Sequence, residues 1–287
     1  MEFLSQSWCD LEWMSWIRFK RANILFQDIP KVPGFYRVKP VDREILVYVG
    51  QTGRDLRERV SALCHNTLAT KMPFNDPHTA ASGLWAWRDS EGMEFECSVA
   101  PTNFLKKERL AFECYLLWRY RLEKGESTLC NHGRFHPHYR KSRPKSKGDR
   151  GGRLPEGKLN PNGGPSLPPL ISKGKSIDSN WMGLKWSEAK NFVIEEIRNT
   201  PNSQCLYKIM NQDAKELLYI GQSQNLRNRL SYHLRENWIN PTIKYSFSEL
   251  SHSSFKYQLR ELENDLIGSY YDQTKSAPKF QFLKYNQ

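Results

Sequence analysis

Apolar and polar positions along the chain first alternate in short runs and then switch to helical spacing, and this happens twice. Residues 35–39 and 45–49 are strand-like runs joined by the turn-like Pro40–Val41–Asp42–Arg43, which predicts a β-hairpin. Gly50 ends the second run, and over 55–63 the period changes, with Leu56, Val60 and Leu63 at i, i+4 and i+7, as on one face of a helix. Alternation over 93–100 predicts a third strand, and 103–124 a long helix. The second set predicts strands at 206–210, 217–220 and 244–250 and helices at 225–234 and 253–273. Landmarks keep step between the sets: Tyr36 and Tyr207, Tyr48 and Tyr219, and Gly50 and Gly221 are each 171 apart, while Arg59 and Arg229 are 170 apart. Trp16 and Trp186 stand 20 and 21 residues before the first tyrosine of each set. Offsets this constant predict a tandem duplication. The element order predicts an α/β (α+β) fold for each copy, a small antiparallel sheet flanked by helices.

Between the copies the pattern breaks. Residues 133–178 hold eight Gly and seven Pro, too many for helices or central strands. Eleven Lys/Arg against three acids leave this stretch a surplus of eight positive charges, out of +12 for the whole chain. The expected organisation is a first copy over 1–132, a basic extended linker over 133–178 and a second copy over 179–287. A solvated basic strip of this kind can follow a phosphate backbone, and its candidate contacts are Arg134, Arg140, Lys141, Arg143, Lys145, Lys147, Arg150 and Arg153.

The rest of the composition narrows the class. A net charge of +12 points to a polyanionic partner. No run of about 18 apolar residues exists, so no membrane span is expected, and the N-terminus lacks the basic-then-apolar order of a signal peptide. Six cysteines without a CxxC pair or a regular framework read as reduced thiols of a cytoplasmic protein. Cys130, His132, His136 and His138 crowd nine residues with no second ligand pair at finger spacing, so they extend the basic strip more naturally than they would hold zinc.

Two carboxylates stand out. Glu113 has Leu110, Leu116 and Leu117 as helical neighbours, and Glu263 has Leu259, Leu266 and Ile267. A carboxylate on an apolar stripe needs compensation, from an arginine of the same copy or from a divalent cation. A tyrosine on each hairpin strand, a glycine after the second, an arginine ten or eleven residues past that tyrosine and a glutamate on a later helix together resemble the GIY-YIG nuclease family. The first copy supplies GFY (34–36), YVG (48–50), Arg59, Glu113 and Asn131, with His78 before the third strand as in the homing endonucleases. The second supplies YIG (219–221), Arg229, His233 and Glu263, the last within a segment similar to the excision-repair incision nuclease.

The resemblance implies a Mg²⁺- or Mn²⁺-dependent endonuclease that hydrolyses DNA, duplex or branched, with no small-molecule cofactor. It assigns the metal to Glu113 and Glu263 and the phosphate to Arg59 and Arg229. Tyr36, Tyr48, Tyr207 and Tyr219 would orient the water, with His78, His233 and Asn131 completing the sites. Two sites in one chain would let a monomer cut both strands. The second copy departs from the pattern at Cys205, where the family has glycine, at Gln281, 18 residues after its glutamate, and in lacking a His78-like segment; the first has Leu63 where the second has His233. On this count the first copy is expected to be the fuller site. The rival expectation is a nucleic-acid-binding protein with one or both sites degenerate, since tyrosines on strands also serve as ordinary sheet packing.

Overall fold

The computed structural model describes residues 1–21, 24–75, 80–235, 242–250 and 254–283; His78 lies outside the described residues. The chain divides into two compact units, Met1–Arg109 with Arg119–Ser166, and Leu110–Trp118 with Leu167–Gln287. The architecture is mixed α and β with antiparallel sheets.

In the first unit β1 (Ile17–Arg18), β2 (Gly34–Pro40), β3 (Tyr48–Thr52) and β4 (Phe95–Pro101) form an antiparallel sheet in the order β1-β4-β2-β3. Strand β3 begins three residues later than the apolar pattern predicts, because the ladder with β2 starts at the Val38–Tyr48 pair. Helix α1 (Leu56–Thr67) starts where the Asp55 carboxylate accepts from the Glu58 amide, an N-cap that satisfies a first-turn N–H. Leu56, Val60 and Leu63 are buried from its inner face. Helix α2 (Ala81–Glu91) and the ends of α3 (Lys106–Lys124) complete the layer.

The stretch read as a solvated connector is folded. Phe135 and Tyr139 are buried, and the Tyr139 hydroxyl donates to Asp89 Oδ2 at 2.7 Å. A two-stranded ribbon, β5 (Tyr139–Arg140) and β6 (Gly152–Arg153), closes over the basic loop. These aromatics help to seat a Pro/Gly-rich segment because each buries a large apolar area. Residues up to Ser166 belong to the first unit and those from Leu167 to the second.

The second unit repeats the sheet: β7 (Lys190–Asn191), β8 (Cys205–Met210), β9 (Leu217–Ser223) and β10 (Lys244–Glu249) are ordered β7-β10-β8-β9. Helices α4 (Ile194–Arg198), α5 (Leu226–His233) and α6 (Lys256–Thr274) pack with it. Glu261 and Asp265 on α6 are fully buried, and each accepts a backbone N–H, from Leu167 and Leu170, at 3.0 Å. They are the most deeply buried carboxylates of that helix. Main-chain donors there offset part of the cost of burying a carboxylate.

Each unit also encloses a cation in tryptophan. Arg37 on β2 is buried against the faces of Trp8, Trp13 and Trp16 and donates to the carbonyls of Phe3 and Ser5. Lys208 on β8 is buried against Trp181 and Trp186 and donates to the carbonyls of Ser176 and Asp178. Ring faces and carbonyls offset part of the cost of taking a cation out of water. Burial still lowers the pKa, to about 9 for Arg37 and about 8 for Lys208. Trp13 Nε1 donates to Trp8 O and Trp186 Nε1 to Trp181 O, both at 3.0 Å. The counterpart of Trp186 is therefore Trp13, and the pairing of Trp186 with Trp16 is corrected.

Candidate active site

The tyrosine–glycine motif is explained by sheet register. In the second unit Tyr207 lies directly opposite Gly221, and Ile209 opposite Tyr219. Tyr207 and Tyr219 are thus diagonal neighbours on one face, with ring centroids 6.0 Å apart. The Tyr207 ring crosses over Gly221, where a Cβ would stand 2.3 Å from Cζ; only glycine leaves room. The first unit repeats this, with Tyr36 opposite Gly50, Val38 opposite Tyr48, and a Cβ on Gly50 falling within 2.7 Å of both rings.

Helices α1 and α5 bring the arginines. Asn225 caps α5 by accepting from the Asn228 amide, as Asp55 caps α1. Arg229 Nε then donates to the Tyr207 hydroxyl at 3.1 Å, and Arg59 Nε to the Tyr36 hydroxyl at the same distance. Arg229 also reaches the Tyr219 hydroxyl at 3.5 Å. His233, one turn further along α5, is buried with Nε2 2.8 Å from the Tyr207 oxygen. The phenol already accepts from Arg229 and is set to donate to that nitrogen. Burial, helped by the Arg229 charge, lowers the His233 pKa to about 3, so its imidazole is neutral. Burial and the Tyr219 phenol push Tyr207 far above the ordinary tyrosine range. Burial alone would lower the Arg229 pKa, and the two facing phenols more than offset it.

Tyr219, Arg229 and Glu263 line one open cleft of about 460 Å³, with Gln222, Asn228, Tyr232 and Lys256 among the other walls. Burial raises the Glu263 carboxyl to about 7, against the opposing pull of Arg229, Arg260 and the Gln222 backbone. Lys256, Arg260 and Glu263 fall at i, i+4 and i+7 on α6, which is one helical face. The motif does not single out Lys256 and Arg260; their spacing from Glu263 is the available signal in the sequence.

Asn131 and Gln281 do not face the tyrosines. Asn131 accepts from Val49 N at 3.0 Å and donates to Val49 O at 2.8 Å, bonding the backbone beside Gly50. Gln281 accepts from Ile220 N at 3.0 Å, the corresponding backbone group beside Gly221. The longer side chain makes the equivalent bond. Gly34, at the start of β2 in the first unit, is required by space: a Cβ would lie 2.4 Å from Ala100 O. Cys205 fills that position on β8 and is buried without strain in its backbone angles.

Glu113 lies half-buried on α3, in the stretch Leu110–Trp118 that groups with the second unit. Tyr36, Tyr48, Arg59 and Asn131 belong to the first. Arg109, also buried, donates to Gln51 Oε1 at 2.7 Å and lies over Gly53. Among the basic-strip residues, Arg134 is tied to the carbonyls of Ser127 and Thr128. Lys141 is half-buried, and Arg140, Arg143, Lys145, Lys147, Arg150 and Arg153 are exposed. His136 is buried 4.4 Å from the Trp87 ring, and its Nδ1 accepts from His138 N. Among the described residues no three His, Cys, Asp or Glu side chains gather as a metal cage.

Residues 203–276 match the family model of the GIY-YIG catalytic domain. That domain is a nuclease domain, so the match indicates a nuclease-type, hydrolytic activity, and it falls within the second unit. No curated protein and no solved structure matches the chain. Among the described residues no helix is long and apolar enough to cross a membrane.

Proposed function

We propose that the chain is a divalent-metal-dependent endonuclease that hydrolyses DNA phosphodiester bonds, with the second unit as its principal active site. The observation that carries this is the run Arg229–Tyr207–His233 behind a cleft whose walls bear Tyr219 and Glu263. Arg229 offers a guanidinium that stays charged at any working pH and suits the fork geometry of a phosphate. Tyr207 and His233 are buried and hold that guanidinium in place. Tyr219 lines the cleft and is the phenol that can touch a water or a phosphate oxygen there.

The donor set suits a cation held by one carboxylate, with water and phosphate oxygens as its other ligands, the usual manner of Mg²⁺. A carboxyl raised to about 7 by burial gains most from such a neighbour. Glu263 would hold the ion, which when bound supplies Lewis-acid polarisation of the phosphate and a lower pKa for nearby water and phenol. Lys256 and Arg260 extend the positive wall along which a phosphodiester strand lies.

The first unit is read as a second GIY-YIG copy, built on Tyr36, Tyr48 and Arg59. One observation favours a binding role for it. Arg109 lies across Gln51 and Gly53, whereas Gln222, the counterpart of Gln51, lines the open cleft of the second unit. The test is a time course on supercoiled plasmid and on branched duplexes with Mg²⁺, Mn²⁺ or EDTA. Cleavage in metal, none in EDTA, and none by Glu263→Gln is the expected result. Cleavage unaffected by EDTA would overturn the metal, and cleavage retained by Glu263→Gln would overturn the site.

A further inference from the structure

Residues 140–153 carry seven Lys/Arg and a single acid, Asp149. Such a loop would be expected to swing freely as a charged arm, and instead it is held at every level. The Asp149 carboxylate takes Arg140 in two bonds of 2.8 Å and has Arg143 Nε at 3.3 Å, while its backbone carbonyl accepts from Arg143 N at 3.0 Å. Ser142 Oγ accepts from Gly151 N at 2.8 Å, and the strands there run so close that a Cβ on Gly151 would fall 2.1 Å from Arg140 O. The tip is a 3-10 turn, Lys145–Lys147, closed by Gly148 at φ 64°. The root is fixed as well: Arg143 O accepts from Asn75 N, and Arg150 donates to Met72 O with its guanidinium 4.2 Å over the Phe74 ring.

An exposed ion pair contributes little to stability, at most about 1 kcal/mol. An acid amid these cations also weakens the field that draws in a polyanion. Asp149 therefore acts against binding as a charge and for it only as a clamp. Resting on the nuclease reading above, we propose that the β5–β6 ribbon is a preformed basic finger that enters a groove of duplex DNA and sets Lys145 and Lys147 against its phosphates, with Asp149 as the residue that positions it. A two-stranded ribbon is of a size that the major groove admits, and cations on a fixed turn suit the regular phosphates of a duplex better than a flexible single strand.

Coulomb's law and the clamp give opposite signs for one substitution. The full chain carrying Glu263→Gln, which holds substrate without cutting it, is titrated with a fluorescent 25-base-pair duplex across a KCl series. Asp149→Ala raises the net charge by one, yet is expected to bind about fivefold more weakly, the cost of ordering one or two side chains at binding. Its thermal midpoint should be unchanged, and Asp149→Glu should restore part of the affinity. Lys145→Ala with Lys147→Ala should flatten the slope of log K against log[salt] by about 1.8, two phosphate contacts at about 0.9 each. Equal or tighter binding by Asp149→Ala, or an unchanged slope in the double variant, overturns the finger. Plasmid cleavage by the otherwise wild-type chain is read in parallel. If it persists while the finger variants bind normally, the nuclease reading stands and the finger falls. If cleavage is absent while those variants lose binding, the finger stands and the hydrolysis falls.

Discussion

The two units hold an arginine against a tyrosine in the same way, Nε to hydroxyl at 3.1 Å in both, and differ in what stands behind that pair. The second has His233 bonded to the phenol on its far side; the first has Leu63, a buried apolar residue, at the corresponding place on α1. The Tyr207 phenol is thus held from two sides and directed, and on α1 the place of that histidine is taken by hydrocarbon. The positions one residue past the motif glycine differ too, Gln51 being engaged by Arg109 and Gln222 lining a cleft. Shared register fixes the tyrosines and the glycine, because the sheet cannot be built otherwise. The residues that decide proton direction and access lie on the helices, where sequence is free to diverge.

The sharpest way to break this comparison is to remove each carboxylate in turn. Glu263→Gln should slow plasmid cleavage by about 10³-fold or more, a loss of several kcal/mol of transition-state stabilisation. Glu113→Gln should cost much less, and an equal loss would give Glu113 the same weight in catalysis as Glu263.

Next in size is Gly221→Ala. Forcing a Cβ to 2.3 Å from the Tyr207 ring should cost about 1–3 kcal/mol in urea unfolding and abolish the Arg229–Tyr207 contact. Gly50→Ala should cost a similar amount of stability with less loss of cleavage.

The histidine gives a pH signature. Its folded pKa of about 3 lies below the ordinary 6.5, so between these values the unfolded chain binds the extra proton. Stability is fully present above pH 6.5 and falls as pH drops toward 3, by up to about 1.4 kcal/mol per pH unit. His233→Leu, which copies the first unit, should remove that dependence from the unfolding free energy measured across the window. A slope that persists in the variant would assign it to other groups.

The smallest effect concerns the amides. Gln281→Asn leaves Ile220 N–H short of its acceptor and should cost about 1–2 kcal/mol, as should Asn131→Ala at Val49. Both are read as shifts in thermal midpoint.

Much of this is legible in the amino-acid sequence. The hairpins, the switch to helical spacing and the Tyr, Gly and Arg landmarks follow from local rules of period and turn. What escaped depends on contacts remote in sequence. The tryptophan enclosures are hidden when Trp16 is paired with Trp186 by distance to the tyrosine. The spelling Trp8-x-x-Leu11-x-Trp13 against Trp181-x-x-Leu184-x-Trp186 would have given the true alignment. The folding of 133–166 was hidden by its glycines and prolines, although Phe135 and Tyr139, isolated aromatics in a polar tract, were the signal. Lys256 and Arg260 went unread because a cation on a helix is ordinarily a solvated one.

Strands β3 and β9 are each the last in their sheet, and a bare outer strand invites pairing with another molecule. Here the chain that follows the long helix folds back along that margin. Cys130 N donates to Val47 O and Asn131 engages both backbone groups of Val49. Phe280 N donates to Leu218 O, and Gln281 receives Ile220 N. An amide side chain thus stands in for a fifth strand one residue wide. It occupies backbone bonds that an outer strand otherwise leaves open to pairing with another chain. Losing either is expected to be felt first as light scattering that rises with protein concentration while the circular dichroism of the fold is kept.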